Sequence, residues 1–111
     1  MMLSLAEYAD HDGLELATLV HSGAVSATEL MEAALTAIDR LNPQLNAVVR
    51  EMRPEAEAAI AAGLPNGPYR GVPFLLKDLT PTYAHVPATG GSRFFNGLVR
   101  RRGAWIPDWA S

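Results

Sequence analysis

A short run that would be apolar on both faces of a strand limits what this chain can fold into. Residues 72–76 read Val-Pro-Phe-Leu-Leu, and Lys77 follows. Side chains of a strand alternate, so Val72, Phe74 and Leu76 share one side and Pro73, Leu75 and Lys77 the other. A strand apolar on both sides needs a cover on each, and helices are the usual cover. Pro73 is the discordant residue, because proline prefers strand starts and edges. The helical patterns upstream can supply the cover, so the expected fold class is α/β.

Those patterns are well punctuated. Asp12 suits the cap of a short helix carrying Leu14, Ala17, Leu19 and Val20, and Gly23 suits its stop. Ser26-Ala27-Thr28-Glu29 is a capping box, with Ser26 at the cap and Glu29 reaching back. Behind it Leu30, Ala33, Ala34, Ala37, Ile38 and Leu41 form one stripe at helical spacing. Asn42-Pro43 is predicted to end that helix. Residues 45–49 are short and partly β-branched, which predicts a strand. Pro54 then opens another helix, with Glu55 and Glu57 near its positive end and Gly63 and Pro65 as its stop. Asn66-Gly67-Pro68 reads as a turn. The order is helix, helix, strand, helix, strand, with about two core strands. Two strands leave unpaired edges, which would invite self-association or a partner chain.

Composition excludes several classes of function. The 111 residues make one modest domain, and a net charge of −3 gives no basic field for nucleic acid or an anionic membrane. Cysteine is absent, which removes disulfides, zinc-thiolate sites and a cysteine nucleophile. Met1-Met2-Leu3-Ser4-Leu5 meets Glu7 and Asp10 without a basic start, so it does not read as a signal peptide. No apolar run approaches the ~20 residues that span a bilayer. The expected location is cytoplasmic. After Asn96 the texture changes: Arg100, Arg101 and Arg102 are followed by Trp105 and Trp109. Residues 1–99 therefore read as one domain and residues 100–111 as a tail of different character. Arginine and tryptophan could together contact a nucleic acid by charge and stacking, but the run is short and the chain is acidic.

Lys77 is the residue best suited to chemistry. An ammonium held in apolar surroundings loses its proton more readily, and such a lysine can act as a base near neutral pH. Asp78 would point to the other side of the strand and suits hydrogen bonding to the neighbouring loop. Gly90-Gly91-Ser92 forms a tight turn. It lacks the Gly-x-Ser-x-Gly frame of a nucleophile elbow, since Phe94 stands where the second glycine belongs. Arg93-Phe94 after the serine also excludes a phosphate loop, and no dinucleotide fingerprint is present. His11, His21 and His85 are scattered and share no ligand spacing, so neither a metal nor another cofactor is expected.

The lysine run Gly71-Val-Pro-Phe-Leu-Leu-Lys77-Asp78, followed by Gly90-Gly91-Ser92, resembles the N-terminal part of the amidase signature family. The match extends upstream through Ser26-Ala27-Thr28-Glu29-Leu30, Ile38-Asp39, Leu41-Asn42-Pro43 and Leu45-Asn46-Ala47-Val48, and covers residues 10–97. The resemblance implies helices packed on a mixed sheet and hydrolysis of carboxamides by a Ser–Ser–Lys triad. In that family the matching lysine, here Lys77, exchanges a proton with a second serine on a cis peptide. That serine relays to the nucleophilic serine, which attacks the amide carbonyl, and water clears the acyl-enzyme. Backbone N–H groups of a later glycine-rich loop stabilise the oxyanion. Asp78 matches the acid that commonly follows the lysine, and Gly90, Gly91 and Ser92 match an early supporting loop. No segment matches the family's serine-bearing region. The expectation is an amidase fragment that is inactive alone, with a non-catalytic interaction chain, or one component of a split amidase or amidotransferase, as the alternative.

Overall fold

The computed structural model describes residues 3–77. Asp78, the Gly90-Gly91-Ser92 turn, His85 and the 100–111 tail lie outside the described residues. The chain divides into two units, Met1–Pro73 and Phe74–Ser111.

The first unit holds four helices: α1 Leu5–Ala9, α2 Gly13–His21, α3 Ala27–Leu45 and α4 Arg53–Ala62. Three of them start on a side-chain oxygen that accepts a backbone N–H. Ser4 accepts from Glu7 at 3.1 Å, while the Glu7 carboxylate accepts from the Ser4 N–H at 2.9 Å. That reciprocal pair starts α1, a helix absent from the sequence reading, although Ser4-x-x-Glu7 is a capping-box pattern. Asp12 accepts from Glu15 at 2.9 Å to start α2, and Ser26 accepts from Glu29 at 3.1 Å to start α3. α4 has no side-chain cap and relies on Pro54 in its first turn.

Both α1 and α4 pack against α3. The core beneath them is built on Leu16, Val25 and Leu30, with Leu3, Tyr8, Leu19, Val20 and Val72 packed around it. Leu30 is fully buried, and covering a leucine side chain stabilises a fold by about 1.5–3 kcal/mol. Arg53 at the start of α4 forks onto Glu32 of α3, with Nη1–Oε1 at 2.6 Å and Nη2–Oε2 at 3.3 Å. The same guanidinium lies 3.6 Å from both Glu51 and Glu57.

The stripe expected on α3 is only half covered. Leu30 and Ala33 are buried, but Leu41 is 51% exposed, and Leu45, expected in the first strand and found at the end of this helix, is 67% exposed. Met31 and Leu35, which lie off that stripe, are buried instead. The helix is covered from more than one side near its start and from fewer near its end.

The α/β expectation is corrected by the structure: the described residues are helical and contain no strand. Neither of the two predicted core strands forms among them. The first falls because α3 continues through Pro43 to Leu45 and closes on Asn46 in the left-handed conformation, φ 50 and ψ 39. A proline so close to the helix end removes one N–H and leaves most of the ladder intact. Beyond the cap, the backbone of Val48 pairs with a side chain and not with another strand. Its N–H donates to Asn42 Oδ1 at 2.8 Å, and its carbonyl accepts from Asn42 Nδ2 at 2.8 Å. The second predicted strand, residues 72–76, has no ladder partner among the described residues. Its apolar pattern reports a tendency to be covered, and that pattern alone does not supply a neighbouring strand. With no strand there is also no strand edge among the described residues for a partner to join.

Candidate functional site

The site begins with the backbone that leads to Lys77. The 67–71 turn precedes the lysine run, with Arg70 N–H donating to Gly67 and Val72 N–H donating to Tyr69. Arg70 Nη1 also donates to Asn66 Oδ1 at 3.1 Å, which braces the turn from its side-chain face.

Three contacts seat this turn on α2 and the start of α3. The Tyr69 ring lies over Gly13, where a methyl group would stand 3.2 Å from Cε1. Gly71 has φ +85 and fits against Val20 and Ala27; a methyl there would stand 3.0 Å from Val20 Cγ1 and 3.3 Å from Ala27 Cβ. Glycine is required at this point both by the positive φ and by the close approach. Val72 then packs on the Leu16–Val25–Leu30 cluster. The glycine that opens the lysine run thus has a steric reason within the first unit.

Lys77 is the last described residue of the run and is exposed. Phe74 and Leu75 before it are also exposed. Asp78, Gly90, Gly91 and Ser92 lie outside the described residues, so Lys77 is the one predicted site residue that the structure places.

Other polar groups of the first unit take structural positions. His11 Nδ1 lies 3.0 Å from Glu15 Oε2, one turn along the chain. His21 lies in the last turn of α2 and lines a hollow of about 380 Å³ with Ile60, Leu64 and Arg70. Among the described residues no group of three or more His, Asp or Glu side chains could hold a metal ion, and no helix is long and apolar enough to cross a membrane. The Arg53 guanidinium, through its hydrogen bond and then its charge, holds the Glu32 carboxyl below the usual glutamate range. Burial raises the Tyr8 hydroxyl pKa.

No family model matches the chain, and neither does a solved structure. Curated proteins do. The chain is 44% identical over 73 residues to the 6-aminohexanoate-cyclic-dimer hydrolase of Pseudomonas sp. (strain NK87), covering 62% of this chain and 14% of that enzyme. It is 39% identical over 100 residues to the lipoamidase of Enterococcus faecalis, covering 88% of this chain and 14% of the enzyme. The chain is a relative of the amidase signature family. A third such relative is the acylamidase of Rhodococcus erythropolis, 36% identical over 86 residues, covering 71% of this chain and 18% of the enzyme. The chain therefore spans less than a fifth of the length of these amidase relatives. The lipoamidase match leaves too few of the 111 residues outside it to miss Lys77 or the Gly90-Gly91-Ser92 turn.

Proposed function

We propose that this chain is the lysine-bearing segment of an amidase signature hydrolase that cleaves carbon–nitrogen bonds of small carboxamides. Lys77 is the base of its Ser–Ser–Lys triad. The observation that carries the reading is the 39% identity to a lipoamidase across a span that includes Lys77. The seating of Gly71 on Val20 and Ala27 supports it, because it gives the start of the lysine run a defined anchor.

In this reading the neutral lysine amine accepts a proton from the bridging serine, which accepts one from the nucleophile as it attacks the amide carbonyl. The amine or ammonia leaves with a returned proton, and water then releases the acid. Both serines lie in amidase sequence that these 111 residues do not contain. Asp78 and Gly90-Gly91-Ser92 support the loop around the lysine, no cofactor takes part, and residues 100–111 depart in sequence from the amidase pattern. By itself the segment has a base and no activated nucleophile, so it does not turn over substrate. The working location is the cytoplasm.

The test is amide hydrolysis by the purified chain, using simple aryl and aliphatic amides, beside Lys77→Ala. Neither protein is expected to hydrolyse them. Hydrolysis by the chain alone that disappears in Lys77→Ala would mean that a serine within these residues, Ser92 first among them, completes the site. When this chain replaces the matching residues of the Enterococcus faecalis lipoamidase, hydrolysis is expected and should vanish in Lys77→Ala. Survival of activity in that variant would remove Lys77 from the triad.

A further inference from the structure

The turn ahead of the lysine run carries chemistry that the amidase reading does not use. Asn66 is followed directly by Gly67, and both are exposed. Pro68 takes the second place of the turn that the Arg70 N–H closes onto the Gly67 carbonyl, a place its fixed φ suits. The turn carries Arg70 back to Asn66, where Nη1 donates to Oδ1 at 3.1 Å. Three requirements for attack on the Asn66 side chain then meet at one place. Gly67 has no side chain, and nothing lies within 4 Å of where one would stand, so its nitrogen is open to approach. Among the described residues no hydrogen bond occupies the Gly67 N–H. The guanidinium sits on the oxygen that gains negative charge when the amide carbon is attacked, and a donor placed on a developing oxyanion lowers the barrier.

We propose that Asn66 is a self-modification site, attacked by the Gly67 nitrogen with Arg70 on its carbonyl and converted to a mixture of aspartate and isoaspartate. The Gly67 nitrogen loses its proton to solvent and bonds to Asn66 Cγ. The Cγ–Nδ2 bond breaks, and Nδ2 leaves as ammonia with a proton from water. Water then opens the resulting cyclic imide, and nothing is oxidised or reduced. Opening between Cγ and nitrogen restores the original main chain with an aspartate. Opening at the main-chain carbonyl leaves the chain running through Cγ, as isoaspartate with an extra methylene in the backbone. Either product sets a carboxylate beside Arg70 in place of a neutral amide, and isoaspartate lengthens the chain just ahead of the Gly71 seat. Asn42 is the contrasting case: Val48 holds both ends of its amide, and Pro43 after it has no N–H to attack. This chemistry needs neither Lys77 nor the triad.

The experiment incubates the full chain at mildly alkaline pH, folded in buffer and unfolded in urea. Samples are digested and followed by liquid chromatography and mass spectrometry, which separate the asparagine, aspartate and isoaspartate forms of each peptide. A second Asn-Gly pair, Asn96-Gly97, lies outside the described residues, so the peptide carrying Asn66 is read by itself. That peptide should convert about tenfold faster in the folded chain than in the unfolded one, the rate effect of one charge-assisted hydrogen bond to the oxyanion. Arg70→Gln should remove this advantage and leave the unfolded rate unchanged. If that variant loses the helical circular dichroism of wild type, the comparison of folded and unfolded wild type decides alone. A folded rate equal to or below the unfolded rate overturns the proposal, as does a folded Arg70→Gln protein that converts as fast as wild type. Aspartate without isoaspartate, or conversion of Asn42 at the same rate, would mean direct hydrolysis by water and would remove the Gly67 nitrogen from the reaction.

Discussion

Asn42 holds the backbone of Val48 by both ends of its amide, at 2.8 Å for each hydrogen bond. The donor and the acceptor of one side chain satisfy the acceptor and the donor of one residue. That pairing takes the place of a strand neighbour and turns the chain at the end of α3.

Replacing Asn42 by Ala should therefore leave the Val48 N–H and carbonyl without partners in a half-buried position. The expected loss is about 1–3 kcal/mol in urea unfolding, with faster hydrogen exchange at the Val48 amide. Asn42→Asp keeps an acceptor and loses the donor, so it should fall between. An Asn42→Ala protein with wild-type stability and exchange would sink the account.

Gly71→Ala should cost more than Gly23→Ala. Both glycines have positive φ, +85 and +79, but only Gly71 has side chains within reach of an added methyl group. The φ penalty is about 1–2 kcal/mol at either site. Contact with Val20 adds about 1–3 kcal/mol of overpacking at Gly71 alone. Equal losses in thermal unfolding would show that the 69–72 turn is not held against α2 and α3.

Acid should weaken the tie between α3 and α4. The hydrogen bond from Arg53, followed by its charge, lowers the folded-state pKa of Glu32 beneath its unfolded value. The stabilisation is then fully present above the unfolded glutamate value and is lost as pH falls through the lowered folded one. Stability measured from neutral pH downward should decline less in Glu32→Gln than in wild type across that acidic window. The pair is partly exposed, so added salt should shrink the difference.

Ser26→Ala removes the oxygen that accepts the Glu29 N–H at the start of α3. The expected loss is about 1 kcal/mol, the usual cost of an N-cap. Since α1 and α4 both rest on α3, the loss should appear as a lower midpoint of the whole unfolding transition. A separate early transition would show that α3 frays independently of the unit.

The helix signals were legible where one local hydrogen bond decides the structure. Asp12, Ser26 and Gly63 stand where the sequence places them, as cap, cap and stop, because each choice involves only a few neighbouring residues. The end of α3 was misread since Pro43 looks like a stop, while a proline in a last turn removes little of the ladder. The strand at 45–49 was misread because a side chain satisfies its backbone, a partner that no period of two can reveal. For the site, Lys77 stood out by its setting in an apolar run, but the contacts of Gly71 with Val20 and Ala27 join residues more than forty positions apart and left no local signal.

By itself the sequence determined where α2, α3 and α4 begin, which glycine opens the lysine run, and the kinship with amidases carried by the residues around Lys77. Those features depend on local backbone chemistry and on residue identity. Only the tertiary structure decided that the described residues form a helical unit without a sheet, and that the apolar side of α3 is covered at Leu30 and open at Leu41 and Leu45. Covering an apolar residue needs a second surface, and a sequence records the demand for that surface without recording what meets it.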